Sequence, residues 1–250
     1  GQSMTFDVTA SGSAPLTYQW YKDNSPITGA TSSSYTLNTV ATADGGNYYC
    51  VVSNSCANTS TSTIILTIDQ APTISSQTGN STVCEGQPMS FNVIASGTSP
   101  ITYQWYKYNT PISGATNYLL NFTSTTTADV ADYYCQVSNT CGTVQTYASS
   151  LAVRVAPSIT SQSGNEVRCE DQSVTFSITS AGSSPVTYQW YKNGTAIANA
   201  TNTTHTISVV KPGDATNYYC TATNSCGTAF SSPVVLTVNT KPEVVTSFDS

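Results

Sequence analysis

The stretch "YYCQVSNTCG" at residues 133–142 occurs twice more, as "YYCVVSNSCA" at 48–57 and "YYCTATNSCG" at 218–227. Working outward from it, "YQWYK" places a tryptophan at 20, 105 and 190, and "CEGQ" at 84–87 returns as "CEDQ" at 169–172. Each step is 85 residues, as the numbers of the three tryptophans show. A repeat that keeps one length through three copies is one packing unit under one set of constraints.

Apolar residues alternate within each unit. Met89, Phe91 and Val93 alternate with Ser90 and Asn92, and Val174, Phe176 and Ile178 repeat the pattern. A period of two is the signature of half-buried strands, and no segment carries a convincing helical period. The expected fold class is all-β, with about seven strands per unit folded as a two-sheet sandwich. The expected domains are 1–69 (lacking its first strand), 70–155 and 156–240. Residues 241–250 align with the opening of a unit and read as the first strand of a following or neighbouring domain.

Composition excludes several functions. Charged residues make up 8% of the 250 positions, against about 25% in an average globular domain. Ser, Thr and Asn keep the surface soluble instead. A net charge of −6 with seven Lys and Arg leaves no basic patch for nucleic acid or an anionic membrane surface. No apolar run approaches the ~20 residues of a spanning helix, so no direct membrane insertion is expected. Eight cysteines point to an oxidising, extracellular or cell-surface setting.

Trp20 with "DGGNYYC" (44–50), Trp105 with "DVADYYC" (129–135) and Trp190 with "DATNYYC" (214–220) resemble the immunoglobulin fold. The resemblance implies three tandem immunoglobulin-like sandwiches, I-set-like with strand D reduced, in an elongated array. It places Trp20, Trp105 and Trp190 in the cores against Cys50, Cys135 and Cys220. Tyr48, Tyr133 and Tyr218 take the tyrosine-corner position, two residues before those cysteines. The family's core disulfide needs a cysteine in strand B, where this chain has Val8, Val93 and Ile178. Cys50, Cys135 and Cys220 are therefore expected to pack on the tryptophans as small buried hydrophobes. More narrowly, the "CEGQ–YQWYK–YYC–NSCG" pattern is similar to the immunoglobulin-like repeats of long cell-surface adhesins of gliding bacteria. Related repeats also act as spacers in secreted carbohydrate-active enzymes.

The strand polarity implied by this resemblance separates the remaining cysteines. Cys84 precedes strand B at the bottom of its sandwich, and Cys141 lies in the F–G turn at the top. Nine residues of strand rise between Cys84 and Val93 cover up to ~30 Å, far beyond the ~7 Å that a disulfide tolerates between Cα atoms. In a tandem array the bottom of one unit abuts the top of the next, so Cys84 is expected to bond Cys226. By the same rule Cys56, Cys141 and Cys169 would pair with flanking repeats or with neighbouring molecules. Exposed or locally paired thiols are the alternative.

Catalysis finds little footing. The single histidine, His205, opens a strand and cannot build a repeated triad or a His-rich metal site. Asp129 and Asp132 belong to the turn before strand F. Glu85, Glu170 and Asp171 could contribute to calcium binding near a domain junction, but no dense acidic run supports it. No cofactor, catalytic or metal site is expected. Tyr21, Tyr49 and Tyr106 read as exposed rings that could stack on sugars, but alternation along strands C and F already accounts for one outward aromatic per pair as cross-strand packing. The expected function is a structural or adhesive rod, in a bacterial surface adhesin stalk or an extracellular filament, stiffened by interdomain disulfides. Its partners would be neighbouring repeats or copies of itself head to tail, with surface glycans or proteins as further candidates. A glycan- or protein-binding module and a spacer of a secreted enzyme are the alternatives. The chain is expected to be a piece of a longer array, or else a subunit whose tail completes the first unit of the next molecule.

Overall fold

The computed structural model describes residues 2–243. The first repeat folds into β1 (Met4–Asp7), β2 (Thr17–Lys22), β3 (Ser25–Pro26), β4 (Ser34–Leu37), β5 (Gly46–Ser53), β6 (Asn58–Ser60) and β7 (Ile64–Leu66). The second contains β8 (Thr73–Gln77), β9 (Ser81–Cys84), β10 (Met89–Ser96), β11 (Thr102–Lys107), β12 (Thr110–Pro111), β13 (Leu119–Phe122), β14 (Ala131–Asn139), β15 (Gly142–Gln145) and β16 (Ser149–Arg154). The third contains β17 (Ser158–Gln162), β18 (Glu166–Cys169), β19 (Val174–Ala181), β20 (Thr187–Lys192), β21 (Thr195–Ala196), β22 (Thr204–Ile207), β23 (Asn217–Asn224), β24 (Gly227–Phe230) and β25 (Val234–Asn239). By contact density, residues 2–76, 94–104 and 136–145 form one compact unit, and 77–93, 105–135 and 146–243 form another. Most of the tail segment 241–250, expected to be a first strand, lies outside the described residues.

Each repeat is a two-sheet sandwich. In the third, β17-β19-β22 make one sheet and β18-β25-β23-β20-β21 the other, with β24 also on β23. The second repeats this with β8-β10-β13 facing β9-β16-β14-β11-β12. In the first, β1 and β4 face β3-β2-β5-β6, with β7 on β5. The alternation of apolar residues makes these sheets one-sided: along β19 the side chains run buried and exposed in turn from Val174 to Ser177. No strand stands between β12 and β13 or between β21 and β22, which is the reduced strand D that the resemblance implied.

The core repeats as well. Trp190 lies directly opposite Cys220 in the ladder, and Trp20 opposite Cys50. Phe176 packs on Tyr218 with ring centroids 4.8 Å apart, and Phe91 on Tyr133 at 5.3 Å. Such aromatic pairs add about 0.5–1.5 kcal/mol beyond their area. Each buried indole donates to a carbonyl twelve residues on: Trp20 to Ser32, Trp105 to Asn117 and Trp190 to Asn202. A buried N–H is thus satisfied without breaking a ladder bond.

The segment before β5, β14 and β23 is a single 3-10 turn. Asp44, Asp129 and Asp214 accept the backbone N–H three residues earlier with a side-chain oxygen. Their own carbonyls accept the hydroxyls of Tyr48, Tyr133 and Tyr218 at 2.7, 2.8 and 3.0 Å. Burial pushes the Tyr133 phenol up to about 12 and raises those of Tyr48 and Tyr218.

The outward tyrosines of these strands are packed as cross-strand pairs. Tyr21 and Tyr49 stack face to face at 5.0 Å, and Tyr106–Tyr134 and Tyr191–Tyr219 do so at 4.8 Å. Tyr21, Tyr49 and Tyr106 are half-buried, because cross-strand neighbours on one face stand close enough to cover each other's rings. Among the described residues the most exposed aromatic ring is Tyr147, 86% exposed.

Candidate functional site: the turn and strand-end cysteines

The cysteines sort into two environments. Cys50, Cys135 and Cys220 are fully buried. Desolvation pushes the Cys220 thiol up to about 11 and raises that of Cys50. A protonated, inaccessible thiol is a poor nucleophile, so these act as packing. Cys56, Cys141 and Cys169 are exposed.

Cys84 and Cys226 are joined by a disulfide, with Cα atoms 5.5 Å apart and a sequence separation of 142. Cys84 ends β9, which lies parallel to β16 with Cys84 beside Arg154. The buried Thr125 hydroxyl donates to the Cys84 and Gln87 carbonyls, 3.2 and 2.9 Å away, and holds the loop that follows. Cys226 sits in the tight turn from β23 to β24.

That turn is built by one side chain. Asn224 accepts the Cys226 N–H at 2.8 Å through Oδ1. Its Nδ2 donates to the carbonyls of Val155 at 2.8 Å and Ser183 at 2.9 Å. Ser183 also donates its N–H to Val155 and accepts the Val155 N–H through Oγ. Gly182 carries φ +133°, and a Cβ there would lie 2.9 Å from Pro157 Cα. The chain leaving β16 is therefore pinned against the turns of the third repeat by backbone bonds, one amide and one disulfide. Arg154 reaches Ser225 Oγ at 3.3 Å beside it.

The same hardware recurs around Cys141. Asn139 accepts the Cys141 N–H at 2.9 Å and donates to Gln70 and Thr98 carbonyls at 2.6 and 2.9 Å. Thr98 Oγ1 accepts the Gln70 N–H, and Gly97 approaches Pro72 as Gly182 approaches Pro157. At Cys56, Asn54 accepts the Cys56 N–H at 2.9 Å and donates to Ser13 O at 3.1 Å. Cys169 ends β18 beside Asn239, and its N–H donates to Gln172 Oε1. The asparagines were not singled out from the sequence. The signal was present, because "N-S/T-C" precedes every turn cysteine.

His205 is half-buried against Trp190 and Tyr218, and burial lowers its pKa. Asp132 accepts a hydrogen bond from the Ser150 hydroxyl. Among the described residues no group of three or more His, Cys, Asp and Glu side chains could hold a metal ion. Asp171, weighed for calcium, is taken by two ammonium groups, Lys211 at 2.6 Å and Lys241 at 2.7 Å. Their hydrogen bonds lower its pKa to about 2.

Repeated one-sided sandwiches with a tyrosine corner and a tryptophan over strand F define an immunoglobulin-type module. The family model described as "Immunoglobulin domain" matches residues 1–54, 71–139 and 156–224, and the chain belongs to that family. Three tandem domains of this kind are also found in the titin fragment I67–I69, which aligns over 96% of this chain and 93% of its own with TM-score 0.72 and 21% identity. That likeness is one of fold. Among curated relatives, Drosophila melanogaster neuroglian is 33% identical over 126 residues, covering 47% of this chain and 10% of neuroglian. The mouse cell adhesion molecule DSCAML1 is 25% identical over 258 residues, covering 88% of this chain and 12% of the relative. The mouse basement membrane-specific heparan sulfate proteoglycan core protein is 28% identical over 157 residues, 60% of this chain. The chain spans about 4% of that proteoglycan and a tenth of neuroglian. No helix among the described residues is long and apolar enough to cross a membrane.

Proposed function

We propose that this chain is a structural and adhesive segment of an extracellular or cell-surface rod, of the kind that forms a bacterial adhesin stalk or a filament. It performs no reaction of its own. The observation that carries the reading is the Cys84–Cys226 bond, together with the Asn224 amide that seats it. A covalent bond and a cluster of buried backbone bonds at a joint resist bending and pulling, and mechanical resistance is what a stalk requires. The bacterial setting rests on the resemblance of the repeat pattern; the named curated relatives are animal proteins. Cys56 and Cys169 would make the same joint with further repeats, or with copies of the chain arranged head to tail.

The test is small-angle scattering on the intact chain before and after reduction, and on Cys84→Ser. A reduced or substituted chain should show a shorter and broader distribution of interatomic distances. An unchanged distribution would mean that the disulfide adds no stiffness, and the rod reading would lose its basis. A second reading, a protein-binding module, draws support from a relative named as a cell adhesion molecule.

A further inference from the structure

β4, β13 and β22 each turn one residue toward the core at the same register. Tyr35 stands opposite Phe6, Leu120 opposite Phe91, and His205 opposite Phe176. Tyr35 and Leu120 take up no charge in acid. His205, the single histidine of the chain, does. Its imidazole is half-buried, with ring centroids 6.1 Å from Trp190 and 6.3 Å from Tyr218.

A proton on that ring would place a cation among aromatic side chains, away from water. Phe176 meets it from β19, Trp190 from β20 and Tyr218 from β23. The titratable groups of those strands stay neutral in acid: burial raises both the Tyr218 phenol and the Cys220 thiol opposite Trp190. The charges on and beside them are matched to each other. Lys192, at the end of β20, pairs with Asp214, ahead of β23, at 2.8 Å. Lys211 and Asp171, flanking β22 and β19, pair at 2.6 Å. No carboxylate among the described residues therefore offsets the cost of an imidazolium, and burial alone lowers the His205 pKa.

The strand that carries His205 is also the easiest to release. β22 is four residues long and lies at the end of the sheet β17-β19-β22, so β19 is its single neighbour there. A short end strand with few ladder bonds belongs to the low-stability part of a fold.

We propose that His205 makes the third repeat the acid-labile one: on protonation β22 detaches from β19 and opens the Trp190–Tyr218 core to water, while the first and second repeats stay closed. The direction follows from linkage. The unfolded imidazole takes its proton near pH 6.5 and the folded one at lower pH. Its contribution to stability is fully present above that value and is lost as pH falls through the lowered one. The inference stands apart from the rod reading, since neither cysteine of the joint takes part.

Two measurements on the whole chain test it. Proton NMR follows the imidazole without ambiguity, because the chain has one histidine. Its titration midpoint should fall below 6.5, and a midpoint at or above that value would overturn the proposal. Hydrogen exchange at pH 7 and pH 5, corrected for intrinsic rates, should show protection across residues 204–207 falling at least ~3-fold in acid, since each unit of displaced pKa is worth about tenfold. The matching strands, 34–37 and 119–122, should change less. His205→Tyr and His205→Leu install the residues of the other repeats and should remove the excess loss at 204–207. Either variant serves, provided its spectrum at pH 7 is that of the folded chain; if neither folds, the NMR midpoint and the comparison of the three strands decide. Equal loss in all three strands, or undiminished loss in a folded variant, would assign the acid response to carboxylates and overturn the proposal.

Discussion

Asn224 Nδ2 lies 2.8 Å from the carbonyl oxygen of Val155, a residue 69 positions earlier and just past the end of β16. The same amide donates to Ser183, while its carbonyl oxygen takes the Cys226 N–H. One side chain thus ties an F–G turn, a B–C turn and an incoming chain segment. Asn139 makes the equivalent three bonds at Gln70, Thr98 and Cys141.

Asn224→Ala should destabilise the fold by about 1–3 kcal/mol, because three half-buried backbone groups lose partners at once. Urea unfolding followed by tryptophan fluorescence would read it. The Cys84–Cys226 bond in this variant should also be reduced faster by dithiothreitol. No change in either quantity would show that the turn holds itself.

Gly182→Ala should cost more than ~1 kcal/mol. The position needs φ +133°, which an L side chain rarely adopts, and the new Cβ would press on Pro157 Cα at 2.9 Å. Gly213→Ala is the control, since nothing lies within 4 Å of a Cβ there and its φ is ordinary. The two melting temperatures, compared side by side, decide the matter.

Cys226→Ser should lower stability by ~2–4 kcal/mol, the usual worth of a native disulfide closing a long loop. Calorimetry on the intact chain would measure it. Cys56→Ser should change little, because its sulfur is exposed and forms no disulfide. Equal effects of the two substitutions would place the stabilisation elsewhere.

Alkaline stability follows from the tyrosine corners. The Tyr133 phenol is raised from about 10 to about 12 in the fold, chiefly by burial. The folded chain therefore holds a proton that the unfolded chain loses first. Its contribution is fully present below pH 10 and is lost as pH rises from 10 towards 12. Ultraviolet titration of tyrosinate should show a fraction of the phenols ionising only as the chain unfolds, and Tyr133→Phe should reduce that fraction.

The repeat, the strand content and the layer of each residue were legible in the sequence. They depend on short-range patterns: alternation sets the face, Asp and Tyr four residues apart set the corner, and an 85-residue period places each residue in a unit. The strand polarity implied by the immunoglobulin resemblance, combined with that period, led to the expectation that Cys84 bonds Cys226. Cross-strand packing of the outward tyrosines was legible, but which rings face each other was not, since the facing of Tyr21 and Tyr49 depends on the register between β2 and β5. Nor was the role of Asn224. Its three bonds reach Val155, Ser183 and Cys226, and only the folded chain brings those groups within 3 Å of one amide. By itself the sequence determined which residues are inside and where cysteines recur. The tertiary structure decided which of them meet, because hydrogen bonds and disulfides depend on distances that chain order does not contain.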